Sequence, residues 1–338
     1  MKLSVVVPVH NRASLLPITL RSLLAQQRVA DEILIVDDGS TDGTAEIAAA
    51  FGPPVRVIRQ SNRGPGAARN RGLAAAQGEF IHFFDSDDLA LPNLHALQLH
   101  ALENTNGDIA YSPWLKCRLD PSSGVEPTNH ILQASGMPHG SLVRALLTNW
   151  STVPISWLVR RSTVEAIGGF PADLCCGEDQ LLFLSLLLAQ AKVVHTPSTL
   201  VLYRDEAHQT LSRPSIPSAQ RRQTVHWAHS LIRARSLCLA EGIDPASWFG
   251  FRRRAFLAWK ALRAAPEPPP HLMHSLIAIF RSWRSPDLAY AFTRTLQQKG
   301  EGLTSRLLGR RAHRSFRSAP LSSLTQQSCT HHLISLYP

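Results

Sequence analysis

Three short polar clusters could carry chemistry in this 338-residue chain, and each directly follows a run of apolar or β-branched residues. The clusters are Pro8–Asn11, Asp37–Asp42 and Asp85–Asp88. The last two are rich in carboxylates, which repel a bare phosphate. A divalent cation is therefore the natural mediator between these side chains and a diphosphate. The Asp-Ser-Asp spacing suits one carboxylate near a sugar hydroxyl and another on the metal, whereas an isolated motif of this kind is usually a solvated turn.

The elements that must position these clusters alternate between strand and helix. Strands are predicted over 3–7, 32–36, 55–58 and 79–84, and helices over 14–27, 44–51, 66–77 and 89–102. Such alternation is typical of βαβ units around a parallel sheet. Ligands of these sheets bind beyond the carboxyl ends of the strands. The three clusters are therefore expected to meet at one sheet edge.

The pattern changes in the remainder of the chain. Further strands are predicted over 109–119, 155–159 and 193–203, and further helices over 141–149 and 178–190. After Arg213 the sequence becomes mainly helical, with helices predicted over 219–241, 246–264, 272–283 and 289–298. We therefore expect a domain over 1–212, a basic helical region over 213–318 and a loose tail over 319–338. The first domain is expected to divide into a nucleotide-binding half, 1–105, and an acceptor half, 106–212.

Charge is distributed unevenly between these regions. Residues 1–212 contain 16 Lys+Arg and 20 Asp+Glu, a net charge of −4, whereas 213–338 contain 19 and 5, a net charge of +14. This asymmetry indicates either a basic module facing an anionic partner, such as a membrane surface, or a docked helical region with solvated arginines. The sequence carries no recognised nucleic-acid-binding motif, so nucleic acid is not an expected partner.

Composition limits the class of protein. Five cysteines without a CxxC pair fit a reduced compartment and argue against a structural zinc site. No apolar run reaches the roughly 18–20 residues of a membrane span. These observations predict a cytoplasmic protein. The positive charge of 213–318 further predicts that this region contacts the inner face of the membrane peripherally.

Five motifs together resemble the family 2 glycosyltransferases of the GT-A fold. They are Val5–Asn11, Ile35–Asp42, Gln60–Gly72, Gly78–Asp88 and the pair Gly168–Phe170 with Gly177–Asp179. The motifs stand in the family's order and cover about residues 1–212. The resemblance implies an α/β fold with a mostly parallel, Rossmann-like sheet flanked by helices, followed here by the mainly helical C-terminal region.

The resemblance also implies roles for individual residues. A nucleotide-sugar site would include Pro8, His10, Asn11, Asp37, Asp38, Arg69, Asp85, Ser86 and Asp87. Within it, Asp37 or Asp38 would hydrogen-bond the base or ribose, which favours a uridine nucleotide. Asp85 would bind ribose or donor sugar, and Asp87 would hold Mn²⁺ or Mg²⁺. Asp88 would support the site or cap the following helix.

The remaining implied roles concern the reaction itself. Asp179 would be the general base for an acceptor hydroxyl, and Glu178 would serve the acceptor or position Asp179. His208 would reach the metal or the diphosphate, although the neighbouring Asp205 and Glu206 depart from the family's pattern. The Gln-x-x-Arg-Trp motif of processive synthases is absent from the sequence. Transfer of a single sugar is therefore expected, with inversion at the anomeric carbon.

Two alternative functions remain open from the sequence. A sugar nucleotidyltransferase would use a similar sheet, but its glycine-rich loop after the first strand is replaced by Pro8–Asn11. A catalytically silent protein that binds sugars or a membrane surface would have no chemical need for Asp85, Asp87 and Asp179 together. A metal-dependent transferase acting on a glycan or lipid-linked acceptor is the leading prediction.

Overall fold

The central sheet of the computed structural model has seven strands. The structure describes residues 1–117, 133–204, 217–265 and 267–281. Across the sheet the order is β10, β6, β9, β4, β1, β2, β3. Their bounds are β1 Leu3–Val9, β2 Glu32–Asp38, β3 Val55–Gln60, β4 Phe80–Phe83, β6 Ile109–Tyr111, β9 Trp157–Arg160 and β10 Val193–His195. All neighbouring pairs are parallel except those of β9, which runs antiparallel to both β4 and β6.

Burial on both faces explains the apolar composition of the central strands. Residues Val5, Val6 and Val7 of β1 have no exposed surface, as is typical of a parallel strand covered by helices on both sides. The register pairs Val9 with Asp37, and Val6 with Leu34 and Phe83. The ends of β1, β2 and β4 therefore lie side by side, and the predicted meeting of the polar clusters at one sheet edge is confirmed.

A smaller second sheet has the order β5, β11, β7, β8. Its strands are β5 Leu89–Ala90, β7 Trp114–Cys117, β8 Gln133–Ser135 and β11 Val201–Arg204. The single strands predicted over 109–119 and 193–203 are each divided between the two sheets. Pro113 and Pro197 lie at the divisions, and proline cannot donate the ladder hydrogen bond that would continue a strand.

Seven helices accompany the two sheets in the described part of residues 1–204. They are α1 Leu16–Leu24, α2 Thr44–Ala49, α3 Pro65–Ala75, α4 Leu94–Thr105, α5 Leu142–Thr148, α6 Arg161–Ala166 and α7 Glu178–Leu188. Helix α3 packs very closely on β1, because a Cβ on Gly72 would lie 2.2 Å from Cγ1 of Val6. This contact fixes the helix that carries Arg69 directly against the central strand.

Asp88 does not cap a helix, and that part of the prediction is wrong. The chain after Asp88 first forms the short strand β5, and α4 begins only at Leu94 after its N-cap Asn93. Asp88 is buried, and its Oδ1 accepts a hydrogen bond from the backbone N–H of Arg204 at 2.7 Å. The carboxylate thus ties the residue just before β5 to the backbone of β11 in the second sheet.

The described C-terminal helices pack against the first domain. They are α8 Pro217–Ala240, α9 Phe249–Arg263 and α10 Pro270–Phe280, and the predicted helix over 289–298 lies outside the described residues. Phe251 of α9 is fully buried in the same apolar core as Trp157 and Phe183. Within the described residues, none of the helices combines the length and apolar character needed to cross a membrane.

Candidate functional site

Two loops at the sheet edge are bonded together and form one side of the candidate site. Asn11 follows β1 with a left-handed backbone (φ 51°). Its N–H donates to Oγ of Ser40 at 2.9 Å, and its Oδ1 accepts from the N–H of Thr41 at 2.8 Å. His10 donates from Nδ1 to the carbonyl oxygen of Asp38 at 2.9 Å. The loop after β1 is therefore held by the loop after β2.

Asp38 uses its carboxylate to shape the next loop. Its Oδ1 accepts from Nε2 of Gln60 and from the N–H of Arg63, each at 2.8 Å, and its Oδ2 accepts from the N–H of Gly64 at 2.8 Å. Gly64 directly precedes α3. Asp37, also buried, accepts from the N–H of Ser40 at 3.0 Å through Oδ1. The internal bonds of Asp38 make Asp37 the better placed of the two carboxylates for a ligand.

Arg69 lies at the centre of the site and is 5% exposed. Its Nη2 donates to Oδ1 of Asp85 at 2.7 Å, and its Nη1 donates to Oε1 of Glu178 at 2.8 Å. The guanidinium also lies over the ring of Phe170, 5.2 Å from the centroid. Burial disfavours the charge of Arg69, but the two carboxylates outweigh this and raise its pKa above the usual value. The resemblance implies that Arg69 faces the nucleotide, whereas its guanidinium here joins two carboxylates.

The Glu178–Asp179 pair begins α7, directly after Gly177, whose backbone is left-handed (φ 76°). A Cβ at Gly177 would lie 2.8 Å from Oγ of Ser230 in α8, so glycine permits this close packing. Asp179 Oδ1 accepts from the N–H of Gln180 at 2.8 Å. Burial and then the negative charge of Glu178 raise the pKa of Asp179 to about 7. A carboxylate with this pKa suits proton removal near neutral pH.

The Asp85–Asp88 cluster presents its carboxylates in different environments. Asp85 is held by Arg69, and Asp88 is buried and bonded to the backbone of Arg204 in β11. Ser86 is buried, and its carbonyl accepts a hydrogen bond from Oγ1 of Thr19 at 3.1 Å. The side chain of Asp87 keeps 24% of its surface exposed and lies 3.4 Å from Nε of Arg12. Asp85 is similarly exposed, at 22%, but its carboxylate is bonded to Arg69, so Asp87 is the better candidate to hold a cation that arrives with a ligand.

The described residues offer no complete metal cage, because no three His, Cys, Asp or Glu side chains among them are grouped to hold an ion. This donor set nevertheless fits Mg²⁺ or Mn²⁺ brought by a diphosphate, since such ions are held by one or two carboxylates together with phosphate oxygens. Asp87 meets that requirement. His208, the other predicted metal ligand, lies outside the described residues.

The predicted site residues thus form connected groups. Pro8 pairs with Val36 at the end of β1, beside His10 and Asn11. Asp38 bonds to the start of α3, and Arg69 of α3 joins Asp85 to Glu178. Arg12 and Asn70 were not predicted from the sequence as individual site residues. Asn70 exchanges two hydrogen bonds of 2.8 Å with the backbone of Phe170, and its only sequence signal was membership of the Gln60–Gly72 motif.

The sheet and the carboxylates at its edge define a protein of the GT-A class. TarS 1–349 of S. aureus in complex with UDP-GlcNAc has this fold, with a TM-score of 0.51 at 19% identity over 89% of this chain and 92% of the 1–349 fragment. A mannosyltransferase of Pyrobaculum calidifontis in complex with GDP-Man and Mn²⁺ also has a TM-score of 0.51, at 18% identity over 99% of this chain and 85% of that one.

Sequence relatives supply the family. Residues 4–168 match the model of Glycosyl transferase family 2, which assigns that segment of the chain to the family. An uncharacterized glycosyltransferase of Rickettsia conorii is 32% identical over 55% of this chain and 30% of its own length. The succinoglycan biosynthesis protein ExoO of Rhizobium meliloti is 44% identical over 26% of each chain. The match thus spans about a third or less of the length of these curated relatives.

Proposed function

We propose that the protein transfers a single sugar from a nucleotide-diphosphate sugar, a UDP-sugar first, to a hydroxyl of a glycan or glycolipid acceptor, with inversion. The observation that carries this proposal is the bridge made by Arg69, which bonds to Asp85 at the sheet edge and to Glu178 beside Asp179. The bridge brings the donor cluster and the candidate base to one place. The TarS complex with UDP-GlcNAc and the mannosyltransferase complex with GDP-Man both support a nucleotide-sugar donor, and the TarS complex supports UDP as its nucleotide.

Asp179 is proposed as the general base. A sugar hydroxyl is a poor nucleophile, so a carboxylate must accept its proton while the new glycosidic bond forms. A pKa of about 7 lets Asp179 be ionised before the reaction and still be basic enough to take the proton. Direct displacement without a covalent sugar–enzyme intermediate inverts the anomeric carbon. Glu178, already bonded to Arg69, positions Asp179 at the start of α7.

The nucleoside would lie against the bonded loops after β1 and β2. Asp37 is the proposed acceptor for a base N–H or a ribose hydroxyl, with Pro8, His10 and Asn11 lining the same edge. Asp85 would bind ribose or the donor sugar through its partly exposed carboxylate, whose side chain keeps 22% of its surface exposed. Ser86 holds the turn between Asp85 and Asp87 through the hydrogen bond of its carbonyl to Thr19.

A divalent cation, Mn²⁺ or Mg²⁺, is the proposed cofactor, and Asp87 is the residue that would hold it. When bound, the cation would neutralise charge on the diphosphate leaving group. The Mn²⁺ in the mannosyltransferase neighbour supports this assignment. Nε of Arg12 lies 3.4 Å from Oδ2 of Asp87 and balances the negative charge of this carboxylate within the protein.

A thermal-shift screen of nucleotide sugars with Mn²⁺ tests the donor, because a ligand that binds only the folded protein raises its melting temperature. The Asp179→Asn variant tests the base, and it should abolish transfer while donor affinity changes by only a few-fold. Asp173→Asn is the matched control, because Asp173 lies shortly before the Gly177–Asp179 motif and forms an exposed ion pair with Arg233. Unchanged turnover in Asp179→Asn would remove Asp179 from the mechanism.

Polysaccharide biosynthesis is the proposed setting, supported by the name of the ExoO relative. Peripheral contact with an anionic membrane at its inner, cytoplasmic face through 213–318 is part of the same proposal. Salt-dependent sedimentation of the full chain with anionic vesicles tests this contact. Absence of sedimentation at low salt would leave the helices with a packing role alone.

A further inference from the structure

An open groove lies between the start of α9 and helix α5. It encloses about 700 Å³. The residues that shape it come from the loop before α5, from α5 and from the first turn of α9, namely His139, Arg144, Thr148, Trp248, Phe249 and Arg253. None of these is among the predicted donor-site residues. The groove therefore joins the acceptor half of the first domain to the basic C-terminal helices.

The groove combines positive charge with an aromatic face. Arg144 and Arg253 both line it, and the lining that the described part of the chain provides contains no Asp or Glu. Trp248 is half-buried, and the guanidinium of Arg144 lies 6.0 Å from its ring centroid. Guanidinium groups bind carboxylate and phosphate through paired hydrogen bonds. Aromatic faces offer a flat apolar surface, which suits the C–H face of a sugar ring.

Packing beneath the groove fixes its two walls relative to each other. Nη1 of Arg254 donates to the carbonyl of Leu146 at 2.8 Å, and Nη2 donates to that of Trp150 at 3.2 Å. These bonds anchor α9 to the carboxyl end of α5. A Cβ at Gly250 would lie only 2.7 Å from Cβ of Thr148, so the two helices meet almost backbone to backbone. These contacts set the relative positions of the two helices that carry Arg144 and Arg253.

We propose that this groove binds an acidic sugar unit of the acceptor, through a carboxylate or phosphate held by Arg144 and Arg253 and a sugar ring packed on Trp248. This assignment rests on the proposed transferase function and adds the class of acceptor, an anionic glycan. The location supports an acceptor ligand, because α5 also packs beside α7, the helix that begins with Glu178 and Asp179. The groove would hold a unit of the acceptor other than the reacting hydroxyl.

The shape of the groove favours a glycan over a lipid bilayer. A membrane surface is contacted by protruding basic and apolar side chains, whereas Trp248 and Arg253 line a concavity and are partly buried. A sugar ring with one anionic substituent is small enough to enter it. Anionic vesicles are therefore the competing ligand that an experiment has to include.

Binding is measured on the full chain without donor, by saturation-transfer NMR with glucuronic acid, glucose 6-phosphate and glucose. We expect at least one of the two acidic sugars to bind, and glucose to bind at least tenfold more weakly. Comparison of glucuronic acid with glucose 6-phosphate then shows whether the groove recognises a carboxylate or a phosphate. Arg144→Gln and Arg253→Gln should each weaken that binding about tenfold, since each removes a charged hydrogen-bond donor. Lys260→Gln removes an exposed charge from α9, the helix of Arg253, outside the groove, and it should leave acidic-sugar binding unchanged.

Three outcomes would overturn the proposal: equal binding of glucose and the acidic sugars, no effect of either arginine substitution, or Arg144-dependent binding of phosphatidylglycerol vesicles with no binding of either acidic sugar. Donor-induced thermal shifts are recorded for the same variants. If the arginine variants lose binding of the acidic sugar but keep the thermal shift caused by the donor, the groove is assigned to the acceptor. Absent donor shifts in the wild type would count against the transferase function itself, independently of the groove.

Discussion

Arg69 and Glu178 are bonded at 2.8 Å although 109 residues separate them in the chain. Both side chains are buried, and the second guanidinium nitrogen of Arg69 is bonded to Asp85. One cation thereby links the edge of the parallel sheet to the first turn of α7. The two halves of the domain meet at this ion-pair triad.

Replacement of Arg69 by lysine should damage both stability and donor binding. A single ammonium cannot reproduce the forked contact to Asp85 and Glu178, so one carboxylate loses its partner. Breaking a buried pair in this way costs about 3–5 kcal/mol. Denaturant unfolding measures the loss, and thermal shift with nucleotide sugar measures binding.

Arg71→Lys is the matched control for that measurement, because Arg71 lies exposed on the same helix. Its effect should stay within about 0.5 kcal/mol. If Arg69→Lys were as stable as Arg71→Lys, the buried triad would not hold the two halves together.

The pH dependence of transfer should report the titration of Asp179. Because a general base must be deprotonated, kcat/KM should fall as the pH drops below about 7, in line with the raised pKa. The same shift affects folding. The native state binds this proton more tightly than the unfolded chain does, so the contribution of Asp179 to stability declines as the pH rises from about 4 to 7.

Asp179→Asn should therefore be more stable than the wild type at pH 8 while being inactive. Unfolding curves at pH 5 and pH 8 check the sign, since the gain should be larger at the higher pH. A variant less stable than the wild type at pH 8 would show that Asp179 is not held in an unfavourable ionised state.

Removal of the divalent cation should weaken donor binding. In the wild type, chelator should reduce the thermal shift caused by nucleotide sugar, and Asp87→Asn should reduce it in the presence of Mn²⁺ as well, because the proposed carboxylate ligand is gone. Glu103→Gln, an exposed substitution on α4, serves as the control. Equal donor shifts with and without chelator would contradict the metal role of Asp87.

Acid should destabilise the protein through the buried histidines His82 and His95. Their rings are 3.0 Å apart from Nδ1 of His82 to Nε2 of His95, and Nε2 of His82 donates to the carbonyl of Ile155 at 2.9 Å. A neutral His82 fits this arrangement, because its unprotonated Nδ1 can then accept a hydrogen bond from Nε2 of His95. Burial lowers the pKa of His82 to about 4, so the unfolded chain binds its proton first and stability falls as the pH drops from about 6.5 towards 4.

Unfolding free energies between pH 7.5 and 4.5 measure that slope, and the double variant His82→Asn with His95→Gln should flatten it. His100→Gln, a substitution on the exposed side of α4, should leave that slope unchanged. An unchanged slope in the double variant would assign the acid sensitivity to other groups.

Local sequence patterns determined the central strands and the residues that follow them. A run such as Leu3–Val7 favours a strand buried on both faces wherever it occurs, and the carboxyl ends of parallel strands necessarily share one edge. The order of residues along the chain therefore suffices to assign the clusters at Asn11, Asp37 and Asp85 to that edge. The motif resemblance likewise needs only order and spacing along the chain.

Tertiary structure alone decided which carboxylates each arginine contacts and where individual strands and helices begin and end. Arg69 has the same sequence signal whether it faces a nucleotide or two carboxylates, because its partners are remote in the chain. The division of 109–119 between two sheets, the late start of α4 and the packing of α9 on α5 also depend on side chains far apart in sequence. Sequence patterns encode the local preferences of backbone and side chain, whereas burial and ion pairing are set by neighbours that only the folded chain brings together.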